Sequence, residues 1–522
     1  MFILLTFILL VLSISAVVAL RLARPGASYT WLVAGGVFLT WLSVLLWQFN
    51  LPWQFTSRQW MSVTLFNASP QLSANPFSWL YALSLSGLSA AVILTSPARA
   101  RNARTPTLSW LGTLALTGLG LLAVLADNPL ALALAWMLID LAEFVIAVRE
   151  PSLPGENVLL SFAIRLASVG FVLWANVIGA SSTGQAFSME TTPPQAGLFL
   201  LIAAGLRLGA LPLRLTYQPD GLSQRRGFGT ILCMVSAVTG LLVLAQIPSS
   251  AVDAGWLLPL FALAAAVALY GGWKWLFARD ALHGRPYWLI GMSALSLAAC
   301  LGGNSPGSVA WGAALVLFGG ISFLYSAKQI WMTRVLALLG FLMLSLPFTL
   351  TASGWQGDFP LPFVFWPLFI VAHAMLTAGY VRHLLHPAET ELAQLPNWAQ
   401  ATYPLGMGIL VITILLAGLW GWPGVLRLGV WQASLAAALL SSTMVFAFLR
   451  LPQLAFVESL ASSEGQPSRL AALLKVFLQA LSVLYQLIGG LIIYVSELLE
   501  GDGGLLWTLL LLILLVSFLR GR

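Results

Sequence analysis

The sequence predicts an all-α, polytopic integral membrane protein that crosses the bilayer about 17 times. Of its 522 residues, 59% are hydrophobic and only 8% are charged, and the mean hydropathy is +0.92. No soluble core needs so much apolar sequence. Apolar runs of about 20 residues recur along the chain, which matches a hydrocarbon layer about 30 Å thick. Because the runs do not alternate as barrel strands would, they predict helices.

The predicted spans follow one another closely, with short connections. The first span has no basic stretch before it and is followed by Arg21 and Arg24, so we expect a membrane anchor and not a cleaved signal peptide. The spans are predicted at residues 2–20, 30–48, 76–95, 107–125, 129–148, 157–178, 196–216, 228–247, 256–278, 286–302, 308–327, 331–351, 361–383, 403–422, 429–449, 474–497 and 504–519.

Basic residues predict the orientation, because short cytoplasmic loops collect Lys and Arg. With the N-terminus outside and the C-terminus in the cytoplasm, the loops on the outer side hold only Arg58 and Arg427 of the 24 basic residues. Almost all the others, Arg285 among them, fall in inner connections. We therefore expect a multi-pass protein of the cell (inner) membrane, whose net charge of +7 reflects topology and contact with the lipid bilayer, with no nucleic-acid partner.

Motifs for catalysis or for cofactor binding are missing from the sequence. Cys233 and Cys300 lie in or near spans without metal-ligand or redox spacing, so packing is the expected role for both. Phosphate-binding glycine loops and His/Cys clusters do not occur either. The extramembrane segments are too short for a catalytic domain, and we expect no cofactor and no metal.

Charges inside the predicted spans are the most informative residues, because burying an ionisable group in a bilayer is costly. Asp140 and Glu143 lie three residues apart on the fifth span, and Arg165 and Arg207 lie on the sixth and seventh. Asp140, Arg165 and Arg207 each lie about 12–14 Å from the predicted inner end of their helix. Their charges balance, so they predict either a static ion-pair cluster or part of an ion path.

Two further ionisable residues in spans are secondary candidates. Lys274 lies between tryptophans near an inner end, where a lysine usually extends its ammonium group to the interface. His373 on the thirteenth span is interpreted as a packed histidine, with a proton relay as the alternative.

The chain resembles the antiporter-like membrane subunits of respiratory complex I (NADH:quinone oxidoreductase) and of Mrp-type cation/proton antiporters. The resemblance covers about residues 1–425. It is carried by SANPFSWLYALSLSGLSAAVILT (third helix), NPLALALAWMLIDLAEFVIAV (fifth), GLRLGALPLRLTYQPD (broken seventh helix and its loop), LFARDALHGRPYWLIGMSALSLA (start of the tenth) and LTAGYVRHLLHP (end of the thirteenth).

The resemblance implies two inverted five-helix repeats, each with a broken helix that lines a half-channel. Pro212 and Pro347 fall inside the seventh and twelfth spans, where such breaks are expected. The implied organisation is N-terminal helices in residues 1–106, a first repeat in 107–247, a second in 256–383, and C-terminal helices in 403–522.

Several residues depart from the pattern of the family. Met137 follows Trp136 where the family has its fifth-helix glutamate, Arg207 replaces the seventh-helix lysine, and Asn75 stands in place of an aspartate. The eighth span carries no charge. Because arginine does not release its proton in proteins, Arg207 can hold a carboxylate but cannot pass a proton on.

Three hypotheses for function follow. The first is an antiporter-like subunit of a multisubunit complex that translocates H+ or Na+, with other membrane subunits as partners and a degenerate charge relay. The second is the same fold kept as a non-conducting scaffold or coupling subunit. The third, a polytopic membrane transferase, usually needs an acidic residue or histidine near an outer loop, and residues 49–75 contain none. Any electron chemistry of an NADH:quinone type would belong to partners.

Overall fold

Fifteen α-helices make up most of the chain that the computed structural model describes. The described residues are 1–24, 30–56, 69–98, 107–148, 155–183, 187–209, 226–355, 363–386, 390–419 and 431–450. The helices are α1 (Phe2–Ala23), α2 (Thr30–Leu45), α3 (Pro76–Thr95), α4 (Thr107–Val124), α5 (Pro129–Val148), α6 (Gly155–Thr183), α7 (Pro194–Arg207), α8 (Phe228–Gln246), α9 (Ala254–Leu276), α10 (Ala281–Leu301), α11 (Ser305–Leu324), α12 (Ile330–Leu338), α13 (Trp366–Leu385), α14 (Asn397–Leu419) and α15 (Trp431–Arg450).

Ten helices in the described ranges are long and apolar enough to cross a membrane. The chain is therefore a multi-pass membrane protein, as predicted. The predicted spans at 474–497 and 504–519 lie outside the described residues, as does Pro212. The predicted total of 17 crossings stays a prediction.

Three helices form the centre of the bundle: α3, α8 and α11. Along α8 and α11 nearly every side chain is buried, and they pack against each other and against α3. On one side α4, α5, α6 and α7 pack in sequence, with α4 and α7 also contacting α8. On the other side α9 and α10 pack together and against α13. The central helices are thus shielded from lipid on both sides.

Polar caps fix where several helices begin. Asn75 and Ser78 form a reciprocal capping box at the start of α3, with Pro76 in its first turn. The Asp280 carboxylate accepts hydrogen bonds from the backbone N–H groups of Leu282 and His283 at the start of α10. These caps satisfy N–H groups that have no partner within the helix.

Short strands connect the bundle at its two ends. The antiparallel pair β1 (Trp53–Thr56) and β2 (Gln71–Ala74) covers the end near Asp127, with Trp53 opposite Ala74. The parallel pair β3 (Ala327–Lys328) and β4 (Thr390–Glu391) lies at the other end. Loops predicted for the outer side contact one another, and so do loops predicted for the inner side.

The twelfth span, predicted at residues 331–351 with a break at Pro347, is interrupted in the structure. Helix α12 is followed by a 3₁₀ turn over Leu339–Met343, after which the backbone leaves helical geometry. Ser345 and Phe348 have φ values of 57° and 65°, and Pro347 lies between them. Proline has no N–H to donate and non-glycine residues rarely adopt positive φ, so the helix cannot continue through this stretch.

The prediction that Arg285 lies in an inner loop is wrong. Helix α10 begins earlier than the predicted span, and Arg285 lies in its second turn with 0% of its surface exposed. Its guanidinium donates to the Thr230 hydroxyl (3.4 Å) and lies 5.9 Å from the centre of the Phe323 ring. Asp280, which caps the helix, is the physical reason for the earlier start.

Candidate functional site

Arg207 and Asp140 make a two-point ion pair in the interior of the bundle. The two terminal nitrogens of Arg207 donate to the Asp140 carboxylate oxygens at 3.1 Å and 2.9 Å. Both side chains are almost completely buried, with 0% and 1% of their surface exposed. Parallel bonds from a planar guanidinium to a carboxylate are strong and fix the orientation of both groups.

Two neighbours hold the Arg207 side chain in this orientation. Its Nε donates to the Thr239 hydroxyl on α8 at 3.3 Å. Its guanidinium carbon lies 4.4 Å from the centre of the Trp136 ring, one turn before Asp140 on α5. The ring face stabilises a cation that has been removed from water. Arg207 is therefore held by α5 and α8 although it belongs to α7.

Arg165 on α6 lies between the two acidic residues. Its Nη1 forms an ion pair with the Glu143 carboxylate and lies 3.5 Å from Asp140 Oδ1. Asp140 thus faces two guanidinium groups, whereas Glu143 faces one. Two carboxylates and two guanidinium groups give the cluster no net formal charge, which lowers the cost of burying it.

Glu143 is the less completely paired acid. Its Oε1 is buried without a hydrogen-bond partner among the described residues. Two other buried polar atoms also have no hydrogen-bond partner among the described residues. They are the Asn176 side-chain oxygen on α6, the helix of Arg165, and the Ser236 hydroxyl on α8, the helix of Thr239. Buried polar atoms of this kind are usually satisfied by ordered water.

His373 lies apart from the charge cluster, next to the break that follows α12. Its Nε2 is 2.7 Å from the Met343 carbonyl oxygen, which the break has released from helical bonding. The imidazole packs edge-on against Trp311 with ring centres 4.7 Å apart, and it is completely buried. In this geometry the imidazole Nε2–H caps the broken helix.

Lys274 lies at the surface near the end of α9, with its ammonium group 6.0 Å from the centre of the Tyr270 ring. It contacts neither the charge cluster nor His373. Within the described ranges, no three His, Cys, Asp or Glu side chains are close enough together to hold a metal ion.

Trp136 and Thr239, which support the charge cluster through Arg207, are not among the predicted site residues. Helical spacing on α5 could have indicated Trp136, because it lies four residues before Asp140 and residues four apart share a face of a helix. Thr239 carries no sequence signal that distinguishes it from the other buried hydroxyl residues.

Comparison with solved structures identifies chains with the same architecture. A chain of the Mrp complex from Dietzia sp. DQ12-45-1b is 16% identical, with a TM-score of 0.68; the match covers 100% of this chain and 63% of that one. A chain of the membrane-bound sulfane sulfur reductase, an archaeal respiratory membrane complex, is 16% identical with a TM-score of 0.62, covering 98% and 99%. The protein thus spans less than two thirds of the Mrp chain and nearly all of the reductase chain.

No family model and no curated protein matches the sequence. The structural likeness establishes the fold alone. An identity of 16% is too low to transfer an activity from those chains to this one. The chain has the membrane-helix fold shared by chains of these two complexes, which is the antiporter-like fold that the sequence resemblance predicted.

Proposed function

We propose that the protein is an antiporter-like membrane subunit of a multisubunit complex that translocates protons or cations. The observation that carries this proposal is the neutral four-residue charge cluster buried between α5, α6, α7 and α8. Ionisable residues at membrane depth are rare and usually belong to ion pathways. The fold shared with chains of an Mrp complex and of a respiratory membrane complex supports the same proposal.

In the proposed mechanism Glu143 is the member of the cluster that exchanges protons. Arg165 and Arg207 stay charged, and Asp140 is engaged by both of them. Protonation of Glu143 would weaken its ion pair with Arg165. Arg165 would then move toward Asp140, whose nearer oxygen is already 3.5 Å away. Release of the proton would reverse the movement, so Arg165 would alternate between two carboxylates.

The alternative is a scaffold or coupling subunit that does not conduct. Two observations favour it: Asp140 is held by Arg207, whose guanidinium does not release a proton and which stands where the resemblance implies a lysine, and His373 is engaged with the Met343 carbonyl. In both proposals the N-terminus lies outside the cell, residues 107–247 and 256–383 form the two repeats, and other membrane subunits are partners. Identification of proteins that co-purify with the full chain in mild detergent tests the assembly.

Ion flux through the purified complex in proteoliposomes distinguishes the two proposals. We expect Glu143→Gln to abolish flux while leaving the complex assembled, because the amide cannot take up a proton. Glu391→Gln, at an exposed acid in β4, is the matched control and should keep full flux. Unchanged flux in assembled Glu143→Gln would contradict the transport role of the cluster and favour the scaffold.

Arg207→Lys is the second informative substitution, because it keeps the charge but introduces a group able to release a proton. Raised flux would show that arginine limits an existing relay. Equal flux would show that Arg207 serves only to hold Asp140. The two-point contact predicts some loss of thermal stability in either case.

A further inference from the structure

An apolar groove lies between α12, the 3₁₀ turn that follows it, α13 and α15. Its volume is about 470 Å³, within the range of about 300–1,000 Å³ that is typical of small-molecule sites. The walls include Leu338, Phe341, Leu344, Val381, Val445 and Phe446. Almost all of the lining surface is apolar, and the groove opens to the outside of the helix bundle.

The groove is about one leaflet deep. Arg334, in the second turn of α12, lies at one end, and Leu344, at the helix break, lies at the other. On α13, which is continuous, the lining runs from Thr377 to Leu385, and eight residues at a helical rise of 1.5 Å span about 12 Å, slightly less than half the thickness of the hydrocarbon layer. The groove therefore fits within one leaflet.

Arg334 supplies the one charge in this groove. It is exposed, and within the described residues no carboxylate lies near enough to pair with it. The Ser441 and Ser442 hydroxyls donate to carbonyl groups of their own helix. A ligand that suits this site has a long apolar body and an anionic group at one end.

We propose that the groove binds an anionic glycerophospholipid, with its phosphate on Arg334 and one acyl chain along α12 and α13. Guanidinium groups bind phosphate through paired N–H donors, and the apolar walls match an acyl chain in length and polarity. The lipid belongs to the leaflet that faces β3 and β4, which is the cytoplasmic leaflet in the proposed orientation. This site does not depend on the proposed ion transport.

Native mass spectrometry of the delipidated full-length protein tests the proposal. Phosphatidylglycerol and phosphatidylcholine with identical acyl chains are titrated separately. Phosphatidylglycerol should bind more tightly, and Arg334→Gln should weaken its binding at least about five-fold, the contribution of one basic residue near an anionic surface. Lys328→Gln is the matched control, because Lys328 is an exposed basic residue at the same end of the bundle but outside the groove.

Ser442→Phe tests the acyl-chain part of the groove, because the added ring occupies it at an exposed position. Binding of both lipids should fall, with the unfolding temperature in lipid-free detergent unchanged. Equal weakening by Arg334→Gln and Lys328→Gln would overturn the proposal. So would equal affinity of the wild type for the two lipids, or unchanged binding in Ser442→Phe.

Discussion

Arg207 donates both terminal nitrogens to the two oxygens of Asp140, and the contact joins α7 to α5 within the membrane. Helix α7 ends at Arg207, and Gly209, two residues later, has a φ of 72° that ends helical geometry. The ion pair therefore holds the end of a helix in place.

Removing one partner of this pair is expected to leave the other as a buried unpaired charge. Arg207→Met should cost about 3–5 kcal/mol of stability. Combining it with Asp140→Asn should recover much of that loss, because the stranded carboxylate is then removed. A double-mutant cycle from thermal unfolding in detergent gives the coupling energy. Losses that add within about 0.5 kcal/mol would contradict a direct interaction.

His373→Phe is expected to destabilise the protein by about 1–3 kcal/mol, because the buried Met343 carbonyl loses its donor. His373→Gln keeps an N–H donor of similar reach and should recover part of the loss. Thermal unfolding in detergent at neutral pH measures both. Equal stability of the two variants would show that packing, and not the hydrogen bond, is what His373 supplies.

Asp280→Ala removes the cap of α10 and should cost about 0.5–2 kcal/mol. Partial burial raises the pKa of Asp280, but hydrogen bonds from His283 and Leu282 outweigh burial, so the pKa lies below its ordinary 3.8. The ionised cap therefore stabilises the fold above pH 3.8, and this contribution is lost as the pH falls through the lower folded-state pKa.

The control for this prediction is Asp253→Ala. Asp253 precedes α9 but makes no side-chain capping bond, so its removal should change stability little. Unfolding temperatures of both variants are measured between pH 3 and pH 7. A similar loss in both would contradict the capping role of Asp280.

Gly312→Ala tests the packing at the centre of the bundle. A methyl group at Gly312 on α11 would overlap the Tyr81 hydroxyl on α3, and both residues are buried between helices that pack directly. Overpacking of this kind typically costs about 1–3 kcal/mol. Tyr81→Phe should reduce the loss, because it removes the overlapping oxygen. The control is Gly408→Ala, where nothing lies within 4 Å.

Cysteine labelling in cells tests the proposed orientation. Ser250 and Lys328 are exposed at opposite ends of the bundle, and the native Cys233 and Cys300 are buried. An impermeant maleimide added outside should label Ser250→Cys. Lys328→Cys should react only after the cells are made permeable. The reverse pattern would invert the topology.

Most helix positions could be predicted from the sequence, because the bilayer requires apolar runs of one length. The eighth span was predicted at 228–247, and α8 runs from Phe228 to Gln246. The twelfth span shows where this rule is insufficient. Hydropathy does not depend on backbone conformation, so it does not distinguish the apolar run around Ser345 and Pro347 from a helix. The break expected there was based on Pro347 and on the family resemblance.

The charge cluster could be located by depth along each helix but not paired in detail. Depth placed Asp140, Arg165 and Arg207 in one layer, and the structure brings them together with Glu143. Which guanidinium faces which carboxylate depends on the rotation of each helix, and that is set by packing. In the structure Arg207 is directed to Asp140, and Arg165 lies between Asp140 and Glu143.

The break after α12 is bonded to a helix about 90 residues further along the chain. The Ser434 hydroxyl on α15 donates to the Ser345 carbonyl at 3.0 Å, at one of the two positive-φ residues of the break. Any lengthwise displacement of α15 must either carry the Ser345 peptide with it or rupture this bond. The position of α15, the last described helix, is therefore coupled through this bond to the non-helical backbone that follows α12.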